Sequence, residues 1–111
     1  MGMATHPRTQ VHSLEGRTLR FHFDDGPMKG RDFDHVFHGG KVKWGAANAD
    51  KKTTSEGKLI HLGEDCYVGS YMGPNGYTLT TAMNLASGKL HAFASDGKEW
   101  TEQSGTVEEL P

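Results

Sequence analysis

A chain of 111 residues suits one domain with one core, burying roughly two-thirds of the surface its unfolded form exposes. Twelve Lys and Arg against 14 Asp and Glu leave a net charge of −2, which offers no electrostatic footprint for nucleic acid or an anionic membrane. No apolar run approaches the roughly 20 residues that span a bilayer. Cys66 is the single cysteine, so no intramolecular disulfide can form. Met1–Gln10 lacks an apolar stretch of the secretory type, and the expected location is the cytoplasm. Fifteen glycines against four prolines, set between short alternating segments, point to many turns and an all-β fold.

Residues 1–12 are polar and without period, and are expected to be a flexible N-terminal segment ahead of one domain over 13–111. The first strand is predicted over Arg17–Phe23, where Leu19, Phe21 and Phe23 alternate with Thr18, Arg20 and His22. Asp24-Asp25-Gly26-Pro27 ends it with turn chemistry. The second runs from Arg31 to His38, with Phe33, His35 and Phe37 on one face. Gly39-Gly40 is a two-residue hairpin signal leading to a third strand, Lys41–Ala47, that aligns Val42, Trp44 and Ala46. Asn48–Gly57 is polar and reads as a loop. A short fourth strand, Lys58–Leu62, precedes the turn at Gly63-Glu64-Asp65.

Cys66–Ser95 has the cleanest pattern: three strands joined by Gly73-Pro74-Asn75-Gly76 and Ala86-Ser87-Gly88-Lys89. Pairing Met72 with Tyr77 and Leu85 with Leu90 gathers Cys66, Val68, Met72, Leu79, Met83, Leu90 and Ala92 on one face. Tyr67, Tyr71, His91 and Phe93 then share the other. A one-residue change in either turn swaps one strand's faces relative to its neighbour, so the interior face stays open at this level. Asp96-Gly97 makes a final turn before an eighth strand, Glu99–Val107. Eight short strands with tight turns predict an antiparallel up-and-down barrel, with an open sandwich as the fallback. A barrel of this size is filled by side chains or holds one small ligand.

Leu19-Arg20-Phe21-His22-Phe23-Asp24-Asp25-Gly26, Val42-Lys43-Trp44, Asp65-Cys66-Tyr67-Val68-Gly69-Ser70-Tyr71 and Asn84-Leu85-Ala86-Ser87-Gly88-Lys89-Leu90 resemble segments of the calycin-like, or lipocalin-like, barrels. More narrowly they are similar to the small domain of molybdenum cofactor biosynthesis protein F. The resemblance spans about Leu14 to Val107 and implies a calycin-like barrel. Phenolic acid decarboxylases are a more distant likeness. In those enzymes a first-strand Tyr pair, an Arg before a Trp, and a Glu handle the substrate. The corresponding positions here are Phe21 and Phe23, Lys43-Trp44, and the neighbourhood of Gly73. The likeness implies an apolar cavity with a cation near one wall.

Seven histidines are the most suggestive chemistry. His35-x-x-His38 has a spacing found in metal sites, but residues three apart on a strand face opposite ways, and neither a Cys pair nor a metal-binding helix accompanies them. No metal and no cofactor is therefore expected. His35 and His91, each beside aromatics, are the candidate acid–base residues, since imidazole titrates near neutrality. A structural histidine bonded to a neighbour is the plainer alternative. Phe21, Phe23, Trp44, Tyr67 and Tyr71 are candidate ligand-contacting rings, with Lys43 as an anchor for an anion. The same rings would equally serve as a core plug. Cys66 reads as a small buried apolar residue.

The expected function is binding of a small hydrophobic or aromatic molecule in the barrel interior. The alternatives are a cofactor-independent lyase, isomerase or decarboxylase acting on an aromatic or carboxylate substrate, and a structural homodimer module pairing through an outer face that carries Val42 or Phe93.

Overall fold

The computed structural model describes residues 14–111, so the segment expected to be flexible over 1–12 lies outside the described residues. The strands are β1 (Thr18–Phe23), β2 (Asp32–His38), β3 (Lys41–Ala46), β4 (Thr53–Gly63), β5 (Cys66–Met72), β6 (Thr78–Asn84), β7 (Lys89–Ser95) and β8 (Trp100–Glu109). Each pairs antiparallel with the next, and β8 returns to β1, closing an eight-stranded barrel. The open-sandwich fallback is thereby removed. A single turn of 3-10 helix, Pro74–Gly76, interrupts the strands among the described residues.

Local chemistry explains most of these elements. Gly39 and Gly40 both have positive φ (60° and 76°), the backbone that a tight β2–β3 hairpin requires and that other residues resist. β4 begins at Thr53, not at Lys58 as the polarity of its first half implies. Thr53–Glu56 pair with Trp44–Lys41 of β3. Their polarity reflects an exposed stretch of wall, and β-branched threonines suit that position.

The register of the central hairpins departs from expectation. Met72 pairs with Thr78, not Tyr77, so Tyr71 faces Leu79 and Tyr67 faces Met83. The 3-10 turn explains the shift: Gly73 N–H donates to the Tyr77 carbonyl at 2.7 Å, which makes the connection one residue longer than a four-residue turn. A one-residue change exchanges faces. Tyr67, Gly69 and Tyr71 point inward, while Cys66, Val68 and Met72 belong to the outer face. β6 and β7 are offset by two residues from the expected pairing, with Met83 opposite Leu90 and Thr81 opposite Ala92. An even shift preserves the faces, so Leu79, Met83, Leu90 and Ala92 share one face as expected, and that face is the interior. The Asn84 carboxamide oxygen fixes that turn by accepting from the Ala86 and Ser87 N–H groups at 2.8 and 2.9 Å.

The interior divides along the barrel axis. At the end holding the β2–β3, β4–β5 and β6–β7 turns, Leu14, Leu19, Phe37, Val42, Met83 and Leu90 pack with almost no exposure. Val42 is therefore a core residue and not part of an outer dimer face. Gly69 is a requirement of this packing, because a Cβ there would lie 3.0 Å from the Phe37 ring. The other end is different, and it holds the site.

Candidate functional site

A cavity of about 360 Å³ enters the barrel at the end where the β1–β2, β3–β4, β5–β6 and β7–β8 connections lie. Exposed Pro27, Pro74, Tyr77 and Thr101 ring its mouth. One wall is aromatic: Phe21 and Phe23 of β1, Phe33 of β2, Trp44 of β3 and Tyr71 of β5. The facing wall is built from smaller groups, Thr81 of β6, Ala92 and Ala94 of β7 and Gln103 of β8, with Leu79 beside them. Large rings on one side and small side chains on the other leave the space. Each position follows from the period-2 alternation of its strand.

His35 forms the polar floor. It is 2% exposed and lies flat against Phe21, with ring centroids 4.0 Å apart. Its Nε2 is 2.9 Å from the Tyr71 hydroxyl. Its Nδ1 is buried without a hydrogen-bond partner; the Phe33 backbone is close enough to favour a proton on the ring, but not in hydrogen-bond geometry. Burial pushes the imidazole down to about 4, and the Phe33 backbone and Asp34 only partly oppose it. Burial likewise pushes the Tyr71 hydroxyl above its ordinary range. At neutral pH the pair is therefore a neutral imidazole and an intact phenol. The arrangement that places the ring proton toward Phe33 has the Tyr71 O–H donating to Nε2. The two groups can orient a polar atom, and neither stores a charge.

Two further contacts shape the cavity. The Trp44 indole N–H donates to Ser55 Oγ at 3.2 Å, which fixes the ring against the wall. The Met28 N–H donates to Gln103 Oε1 at 3.4 Å, tying the β1–β2 loop across the mouth.

The residues singled out from sequence do not all converge. Phe21, Phe23, His35, Trp44 and Tyr71 meet at the cavity. Tyr67 is buried too, but in the packed end, stacked on His61 at 4.6 Å. Lys43 and His91 are exposed on the outer face, pointing away from the interior. Phe93 is also outside, 40% exposed and 5.9 Å from the Trp100 ring. His35 and His38 face opposite ways, one buried and one exposed. Among the described residues no group of three or more His, Cys, Asp or Glu is placed to hold a metal ion. Phe33, Thr81, Ala92, Ala94 and Gln103 were not singled out as site residues. Strand parity was the signal for them: each lies two or four residues from an interior apolar neighbour.

The outer face of β1 and β2 carries charges in register. Arg20 donates to both Asp34 oxygens, at 2.8 and 3.0 Å, and this contact holds the Asp34 carboxyl below its usual range. His22 Nδ1 lies 2.5 Å from Asp32 Oδ1, which raises the imidazole above its ordinary value. These cross-strand pairs brace the wall from outside and do not reach the cavity.

Among the described residues no helix is long and apolar enough to cross a membrane. No curated protein matches the chain. Among solved structures, the barrel is similar to a protein from Burkholderia vietnamiensis described as a candidate beta-lactamase. The TM-score is 0.70 at 13% identity, over 89% of this chain and 97% of that one, and the likeness is one of fold. The MoaF N-terminal domain model matches residues 1–99, and the chain belongs to that family.

Proposed function

We propose that this barrel binds a small, largely apolar, ring-bearing molecule in the cavity at its open end. The observation that carries this reading is the cavity itself. About 360 Å³ is left unfilled beside five aromatic side chains, in a barrel small enough for its own residues to have plugged it. That volume falls in the range of ligand pockets, and an apolar wall with a few convergent polar groups is their usual chemistry. Burying the ligand's apolar surface supplies the affinity, at roughly 25 cal/mol per Å². Tyr71, His35, Thr81 and Gln103 orient it.

Binding fits these groups better than acid–base catalysis. A general base works best with a pKa near the operating pH, and His35 is held down to about 4. His91 and Lys43, the other groups considered for catalysis, lie outside the barrel.

A thermal-shift and native mass spectrometry screen of flat apolar compounds tests the proposal. A true ligand at a hundredfold excess over Kd should raise Tm by about 10 °C. Ala94→Phe, which places a ring in the mouth, should cancel the shift in a protein that remains folded. A screen with no stabilising compound, or a shift that survives Ala94→Phe, would count against the cavity as a binding site.

A further inference from the structure

We infer that this cavity selects uncharged ligands: a planar ring bearing one or two neutral polar groups is accepted, and the same ring bearing a carboxylate or an amidinium is rejected. The inference rests on the binding proposal above and adds a charge rule to it.

The rule follows from what faces the cavity and what does not. Among the described residues, the groups with polar atoms that line it are His35, Trp44, Tyr71, Tyr77, Thr81, Thr101 and Gln103, and no Asp, Glu, Lys or Arg lines it. The charged side chains of the adjoining strands point the other way. Arg20 and Asp34 are paired on the outer face, as are His22 and Asp32. The loops at the open end carry five cations, Lys29, Arg31, Lys51, Lys52 and Lys98, and none of them lines the cavity. Lys52 donates to the Ala46 and Ala49 carbonyls at 2.7 and 2.8 Å. Arg31 lies over the Phe33 ring at 5.2 Å. A ligand carboxylate pushed into this space would lose its water and meet no counter-ion.

The one titratable imidazole on the wall does not supply that charge. The surroundings that hold His35 neutral are the same apolar surroundings an ionised ligand would enter. What they do offer is neutral hydrogen bonding. The Thr81 hydroxyl and Gln103 carboxamide suit an amide, ketone or phenol. The loss of the anion-handling side chains that the decarboxylase likeness would call for agrees with this reading: Lys43, the residue at that position, is on the outer surface.

Three near-isosteric probes separate charge from shape: 2-naphthamide, 2-naphthoate and 2-naphthamidine, titrated calorimetrically into the whole protein at neutral pH. The amide should bind, and the two ions should bind at least about 100-fold more weakly. If either ion binds within tenfold of the amide, the charge rule is wrong while the binding proposal stands. If none of the three binds at concentrations up to about 1 mM, both fail. Ala94→Lys provides a second, independent reading, because it puts a cation at the half-buried rim. In that variant, checked for folding by circular dichroism, naphthoate should gain at least about tenfold and naphthamidine should gain nothing. Equal gains for all three probes, or none for naphthoate, would overturn the charge rule.

Discussion

The two ends of this barrel share eight strands and meet their interior in opposite ways. At the packed end Leu19, Phe37, Val42, Met83 and Leu90, from five different strands, belong to one core cluster and are all under 5% exposed. Gly69 makes room for the Phe37 ring there. At the open end the strands are unequal. β1, β2, β3 and β5 carry rings, while β6, β7 and β8 carry Thr81, Ala92, Ala94 and Gln103. One end buys stability and the other keeps a hole. A short barrel can therefore hold a ligand without giving up its core, because the same alternation serves both ends and only side-chain size differs.

The sharpest way to break that comparison is to shave the two ends alike. Leu90→Ala, at the packed end, should cost about 3 kcal/mol, since it removes buried methyl groups and leaves a cavity. Leu79→Ala, beside a cavity that already exists, should cost about 1 kcal/mol. Urea denaturation measures both, and equal losses would mean that the two ends are packed alike.

The next effect concerns pH. His35 is neutral in the folded protein down to about 4, whereas in the unfolded chain it takes a proton near 6.5. Between those values the unfolded state binds more protons, so stability rises with pH. The contribution is fully present above about 6.5 and is lost as pH falls toward 4. Its size is about 3 kcal/mol, from the gap between about 4 and 6.5. His35→Leu should remove that part of the acid sensitivity. Urea midpoints at pH 7 and pH 4.5 should fall less in the variant than in the wild type. An identical fall in both would contradict the assignment of His35 as a buried neutral group.

Adding volume sharpens the same contrast from the other side. Gly69→Ala would press a methyl group into Phe37 and should cost about 2 kcal/mol. Ala94→Val, facing open space, should change stability by no more than about 0.5 kcal/mol. The smallest effect belongs to the outer wall. Arg20→Ala breaks a paired but solvent-screened contact with Asp34, and its urea midpoint should stay close to that of the wild type.

Much of the barrel was legible in the sequence. Leu19-x-Phe21-x-Phe23 and Phe33-x-His35-x-Phe37 alternate strictly, and Gly39-Gly40 has a single economical reading as a hairpin, so β1 to β3 and their inward faces follow from pattern alone. The β5–β6 register did not follow. Tyr67-Val68-Gly69-Ser70-Tyr71 has bulky groups at both parities, and only the hydrogen bond from Gly73 to Tyr77 decides which face turns inward. That one-residue step moved Tyr71 into the cavity and Cys66 out of the interior. His91 and Lys43 were suggested by residue type and neighbours, but residue type does not fix direction; each lies at the outward parity of its strand. The cavity was hidden for another reason. It arises where small residues of one wall face rings of another, and that opposition appears only once β1 and β8 close the circle.

The most direct test is to map the amide shifts caused by 2-naphthamide in a two-dimensional nitrogen–proton NMR titration. We predict that the perturbed residues cluster at the open end, around Phe21, Phe33, His35, Thr81 and Gln103, while Leu19, Val42 and Leu90 at the packed end stay still. Shifts centred on the exposed Phe93 and Trp100, or no shifts at saturating probe, would contradict the account.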